Sequence, residues 1–193
     1  MPAVETGQRL LESATAAFAA KGFHGTTTRD IATAAGVTPG AVYVHHRSKE
    51  ELLYSISRVG HERTLELVRA AAASSTDPVE QIRTMVREFV EWQSVNRTKS
   101  AVVNFELAAL TDEHREDVLA IRRAVDAAFR AVVDRGREQG LFTVTDTPLT
   151  VFAILSLCID VARWYRADGR LTAAAVGEHH STMALRMLGV PGV

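Results

Sequence analysis

The segment Thr28-Arg-Asp-Ile-Ala-Thr-Ala-Ala-Gly-Val-Thr-Pro-Gly-Ala-Val-Tyr43 leaves this chain few ways to fold. Ile31 and Ala35 stand one helical turn apart and therefore share an inward face, while Ala32 is small enough for two helices to cross there. Gly36 supplies the turn, because glycine takes a positive φ without a Cβ clash. Thr38 then caps a second short helix that opens with Pro39, where the missing N–H costs nothing, and Val42 returns to the core. Two short helices about a glycine turn form a helix-turn-helix.

A helix presented in this way fits the major groove. Its N-terminal residues meet base edges and flanking groups hold phosphates. Gly40 and Ala41, behind Pro39, allow close backbone approach, and Thr38 offers a hydroxyl to a base or phosphate. Tyr43, His45 and Lys49 are phosphate-contact types. One helix earlier, beside Thr27 and Thr28, Arg29 is the candidate for a bidentate contact to guanine. The bland alternative is a helical hairpin that merely packs.

The rest of the chain predicts an all-α fold. Aromatics are 6% of its 193 residues, prolines number five, and no alternating apolar run bounded by turn residues marks a strand. Ser48-Lys49-Glu50-Glu51 is a capping box, with Glu51 expected to reach back to the cap amide. Asp77-Pro78-Val79-Glu80 follows the same logic. Nine helices are predicted, at roughly 4–21, 27–35, 39–45, 48–73, 78–96, 99–109, 112–139, 147–167 and 173–189. The turn Ser74 to Pro78 is short, so the two parts of the chain join through the long helix 48–73 and not through a flexible linker.

Composition narrows the function. The single cysteine, Cys158, lies in an apolar run, which excludes a disulfide scaffold and reads as a small buried hydrophobe. A net charge of −1 argues against a nucleic-acid partner only until its distribution is considered: Arg29, Arg47 and Lys49 face Asp30 alone between Thr26 and Lys49. The N-terminus lacks the basic start and clean apolar run of a signal peptide. The stretch from Leu149 to Val161 is expected to be too short to cross a bilayer, so the chain is expected to be cytoplasmic with no membrane partner.

His45-His46 and His179-His180 are adjacent pairs that diverge on a helix, so no metal is expected. The run Glu113-His114-Arg115-Glu116-Asp117 opens a helix, where acids suit the dipole, and is expected to be a solvated face. No nucleophile with a base at motif spacing and no phosphate-binding glycine loop is present, which argues against an enzyme, and no cofactor is expected. A helical adaptor protein is the remaining rival, but it would have no use for Arg29, Tyr43 and Lys49 around a glycine-led helix.

From Leu10 to Leu53 the chain resembles the DNA-binding domain of TetR/AcrR-family transcriptional regulators. The resemblance rests on Phe18, Lys21-Gly22-Phe23, Thr27, Asp30-Ile31-Ala32, Ala35-Gly36-Val37, Tyr43, His45 and Ser48-Lys49-Glu50. One departure is His46, where the family usually places phenylalanine. Glu106-Leu107 to Leu110, Gly140-Leu141-Phe142, Arg163-Trp164-Tyr165-Arg166 and Gly169-Arg170-Leu171-Thr172 are similar to the branch whose members regulate fatty-acid and steroid catabolism and respond to acyl-CoA thioesters.

That resemblance implies a helix-turn-helix domain over 1–47 and an effector-binding and dimerisation domain of about six helices over 48–193. It implies a homodimer on a pseudo-palindromic operator, joined through the last two helices, where Trp164-Tyr165, Met183, Leu185, Met187 and Leu188 put apolar groups on more than one face. It also implies a repressor released by a small hydrophobic effector. Phe89, Trp92, Phe105, Phe129, Leu155, Cys158 and Ile159 are spaced as inward core residues, and in this family the space between such helices forms the effector pocket, with Asn104 and Arg122 as nearby polar groups.

Overall fold

The computed structural model describes residues 3–192. Among them the regular elements are all helical: α1 Ala3–Lys21, α2 Thr28–Ala35, α3 Pro39–His45, α4 Lys49–Ala73, α5 Pro78–Val95, α6 Arg97–Phe105, α7 Asp112–Glu138, α8 Thr147–Trp164 and α9 Ala173–Met187, with a single 3-10 turn at Leu107–Ala109. The fold class is therefore as the sequence predicts. The helices predicted at 147–167 and 173–189 end early, at Trp164 and Met187, and one predicted helix is broken. Residues 99–109 do not form a single helix, because α6 stops at Phe105, Glu106 leaves helical geometry at φ −97° and ψ 9°, and the 3-10 turn follows.

The chain packs as two compact units. The first comprises residues up to His61 together with Thr98–Ala120. Leu10, Ala14 and Phe18 recur every four residues along α1 and meet Ile31, Ala32 and Ala35 of α2, Val42 of α3 and Leu52, Leu53 and Ile56 of α4. Val102, Val103, Leu110 and Val118 complete that core. At Gly60 α4 lies so near Val103 that a Cβ would fall 2.6 Å from its Cγ2, so a larger residue there would push α6 away.

The second unit comprises Glu62–Arg97 and Ile121–Val193. Its core joins Val68 and Ala71 of α4, Ile82, Met85, Val86, Phe89 and Val90 of α5, and Val125, Phe129, Val132 and Val133 of α7 to Val151, Ile154, Cys158 and Val161 of α8 and Val176, Ala184 and Leu185 of α9. Gly177 lets α9 lie against α5: a Cβ there would stand 2.8 Å from the Arg87 carbonyl. Burial pushes the Cys158 thiol up to about 12, so it is an unreactive core group.

Two expectations about α8 and α9 change. The apolar stretch is not confined to Leu149–Val161: all 18 residues of α8 are by length and composition enough to cross a membrane, although Val151, Ile154, Cys158 and Val161 of its inner face are buried in the protein core. Leu185 is not an outward apolar residue of α9, being fully buried in the second core together with Leu188. The large apolar groups that do reach the surface here are Leu149, Phe152, Leu157 and Trp164 on α8, Leu171 in the connection and Met187 on α9.

Candidate nucleic-acid interface

Local bonding fixes α2 and α3 at both ends. Thr27 caps α2: its hydroxyl accepts from the Asp30 amide at 3.1 Å, and the Asp30 carboxylate accepts from the Thr27 amide at 2.9 Å and the Thr27 hydroxyl at 2.7 Å. Those donors, the amide first, hold the Asp30 carboxyl below its ordinary range. Gly36 ends the helix in the left-handed region at φ 65°, and Arg9 of α1 donates to the Ala35 carbonyl. Thr38 then caps α3, accepting from the Ala41 amide at 3.3 Å. The Thr38 cap and the Gly36 turn follow the sequence reading, whereas Thr27, read there as the first residue of the helix, is its cap.

On this frame Thr38, Pro39, Gly40 and Tyr43 are exposed, as are Thr27 and Arg29 on the α2 side, while Thr28, Ala41 and His45 are half-buried. Thr28 Oγ1 and the Tyr43 hydroxyl lie 3.4 Å apart, which links the start of α2 to the body of α3. These residues therefore occupy one surface formed by two adjacent helices. The sequence reading passed over Val44, which is 82% exposed and lies on the outward side of α3, and counted Arg47, exposed just beyond the end of that helix, only in the charge balance.

Lys49 has a more demanding position than a phosphate contact requires. Its ammonium donates to the carbonyls of Phe23 at 2.7 Å and Thr26 at 2.6 Å, and lies 4.1 Å from the centre of the Phe23 ring. Two of its three N–H groups thus tie α4 to the connection between α1 and α2. Thr26, itself buried, donates to the Ala17 and Gly22 carbonyls at 3.1 and 2.8 Å and closes the end of α1.

The capping box at α4 is only half as expected. Ser48 Oγ accepts from the Glu51 amide at 3.0 Å, but Glu51 accepts from the Arg47 amide, one residue before the cap. Glu50 turns the other way. It accepts from the Thr111 amide at 3.0 Å, and its two oxygens lie 2.9 and 3.0 Å from His114 Nδ1, a geometry that requires that nitrogen to carry the proton. The His114 ring stacks on Tyr54 with centres 3.9 Å apart, and Tyr54 donates to Asp117 at 2.9 Å. Burial and the Asp117 bond raise the Tyr54 hydroxyl above its ordinary value. His114 is thus half-buried in a polar cluster and does not belong to a solvated face, because α7 begins against α4.

His46, in the position where a phenylalanine is usual, ends α3 and donates its amide to the Val42 carbonyl at 2.9 Å. Half-buried, its imidazole titrates below the ordinary value, with desolvation the main cause.

In the second unit Phe89, Phe129 and Cys158 sit inside one core, with Leu155 and Ile159 packed against it. Trp92 is half-buried with Arg63 5.7 Å from its ring, and the half-buried Arg122 is lowered by desolvation. Asn104 and Phe105 belong to α6 of the first unit and are not part of that cluster. A groove of about 730 Å³ in the second unit is lined by Asp134, Arg137, Glu138, Phe142, Thr143, Val144 and Thr145, and contains none of the expected effector residues.

Comparison with known proteins agrees with this geometry. Residues 10–56 match the family described as bacterial regulatory proteins, tetR family, and residues 75–188 match the tetracyclin repressor-like C-terminal domain. The transcriptional repressor KstR2 of Mycobacterium tuberculosis is 29% identical over 186 residues, covering 95% of this chain and 93% of KstR2. A tetR-family regulatory protein from Rhodococcus RHA1 superposes with a TM-score of 0.92 at 34% identity, covering 96% of this chain and 97% of that one. AibR in complex with isovaleryl coenzyme A and operator DNA superposes at 0.85 with 25% identity, over 92% and 97% of the two chains.

Proposed function

The chain belongs to the TetR family of bacterial regulatory proteins, and from that premise we propose that it is a homodimeric cytoplasmic repressor, released from a pseudo-palindromic operator by an acyl-CoA-like effector. The observation that carries the reading is the surface on which capped α2 and α3 expose Arg29, Thr38, Gly40 and Tyr43 together. Arg29 reads a guanine, while Thr28, Thr38, Tyr43 and His45 hold phosphates around a backbone that Pro39, Gly40 and Ala41 bring close, and Thr27, whose donors both go to Asp30, caps the helix that presents them. Lys49 has one N–H left for a phosphate and otherwise positions the head.

Functionally the chain divides at the start of α4, with DNA reading over 1–47 and effector binding and assembly over 48–193. The apolar groups that α8 leaves exposed, Leu149, Phe152 and Trp164, support pairing with a second copy, which would set two recognition helices at the spacing of two half-sites. In this reading the effector lies among Phe89, Trp92, Phe129, Leu155, Cys158 and Ile159, with Arg122 toward its polar end; the apolar character of that cluster supports the position, and the similarity to AibR, whose structure holds isovaleryl coenzyme A, supports the acyl-CoA class. The unbroken run of α4 from Lys49 to Ala73 supports it as the link between effector binding and DNA reading.

The test has two arms. A promoter fragment should be retarded with strong salt dependence, and Phe152→Glu, which leaves both cores intact, should give a monomer by light scattering that no longer binds it. Titrating acyl-CoAs with and without operator should show reciprocal weakening of about 1–3 kcal/mol. A monomeric wild type that still binds a palindrome, or acyl-CoA binding indifferent to operator, would refute the corresponding part.

A further inference from the structure

We propose that Val44 is a specificity-determining residue that reads a pyrimidine 5-methyl group, in unmodified duplex the methyl of thymine, at one position of each half-site. The inference rests on the DNA-binding reading above and names one of its base contacts. The inner side of α3 is marked by Val42, which has no exposed surface. At 3.6 residues per turn Val44 lies about 200° round from it, pointing away from the core. Its 82% exposure exceeds that of every other large apolar side chain among the described residues.

Gly40, one turn earlier and about 40° round from Val44, is also exposed and has no side chain, so the side of α3 that carries Val44 is open to an approaching surface. Valine is a poor choice for such a place on folding grounds alone: it is a weaker helix former than alanine, and it gains nothing from packing while it stays in water. The neighbouring side chains are committed to polar work, since the Tyr43 hydroxyl meets Thr28 Oγ1 at 3.4 Å and Arg29 is a donor.

The edges of base pairs in the major groove present acceptors, donors and one apolar group, the thymine C5-methyl. Valine has neither donor nor acceptor. The only favourable partner for it in that groove is therefore the methyl, and burying the two against each other removes apolar surface from water on both sides.

The experiment enriches duplexes from a random pool with the wild-type protein and then replaces each thymine of the enriched site by deoxyuridine, which deletes only the methyl. One thymine per half-site should respond, with a loss of about fourfold per half-site from a single buried methyl. Val44→Ala touches no core residue and should bind the thymine duplex more weakly, with thymine–uracil discrimination reduced to about twofold or less. Val44→Thr, which keeps one methyl, should fall between. Indifference of the wild type to uracil at every thymine overturns the inference while DNA reading stands, and so does full discrimination by Val44→Ala. Failure of the wild type to enrich any duplex would instead overturn the DNA-binding reading itself.

Discussion

In α3 one residue of seven, Val42, is buried, and the candidate interface is what remains outside; in α5 nine of eighteen are buried, and the candidate effector residues Phe89 and Trp92 lie on or beside that inner face. A helix of seven residues cannot sustain itself in water. It is held by Thr38, by Val42 and by its neighbours, so its outward residues are free to be chosen for something else. In α5 and α8 the same apolar side chains serve packing whether or not a ligand ever meets them. Exposure separates function from folding, and burial merges them.

The largest expected effect tests that merger. Phe129→Ala, at a fully buried site in the second core, should destabilise by about 3–5 kcal/mol, and lower the melting temperature by roughly 10 °C. If a saturating acyl-CoA left the melting temperature of both wild type and variant unchanged, Phe129 would be core alone and the contrast would sharpen. If ligand stabilised the wild type and lost that effect in the variant, the same ring would be serving both ends.

Two basic residues of the first unit give an intermediate effect of opposite kinds. Lys49→Ala removes charge-assisted bonds to two carbonyls and should cost about 1.5–3 kcal/mol of stability in the absence of DNA. Arg29→Ala should leave the melting curve alone and cost about 1–3 kcal/mol of operator affinity, relaxing preference at one base pair. Chemical denaturation and filter binding on both variants separate them. Equal losses in both assays would dissolve the distinction between holding the head and reading with it.

The smallest effect concerns pH. His46 and His180 both titrate below the ordinary value of 6.5 because burial disfavours the imidazolium. Above that value both states are neutral and neither group contributes. As pH falls below it the unfolded chain takes up protons first, so stability declines toward pH 5. Melting curves between pH 7.5 and 5 should show the decline, and His46→Gln should reduce it; an unchanged profile would remove His46 from the account.

The sequence carried most of the frame. Gly36, Thr38, Pro39 and Asp77 are local signals, effective through their immediate neighbours, and each sits at the helix end predicted for it. What escaped depends on partners far along the chain. Lys49 looks like a phosphate ligand until the Phe23 and Thr26 carbonyls are seen beneath it. His114 looks solvated until Glu50 and Tyr54 arrive from sixty or more residues away. Leu185 and Phe152 are alike as apolar helix residues, and only the packing of α9 on α5 and α8 tells the buried one from the exposed. Val44 was legible, had an unexplained apolar residue on the outward side of a recognition helix been taken as a signal.

Three successive side chains at the start of α4 hold three different partners: Lys49 the connection after α1, Glu50 the start of α7, and Glu51 the Arg47 amide. The bonds of the first two span 26 and 61 residues. Closing such loops costs entropy before any contact repays it, which slows folding in proportion to how non-local the contacts are. Glu50 has neither the Thr111 amide nor His114 to bond until the start of α7 has been synthesised, so one side of this turn cannot be completed before then. For that interval the nascent head holds α4 by the Lys49 clasp alone, a window in which a chaperone or protease would meet it with one anchor missing.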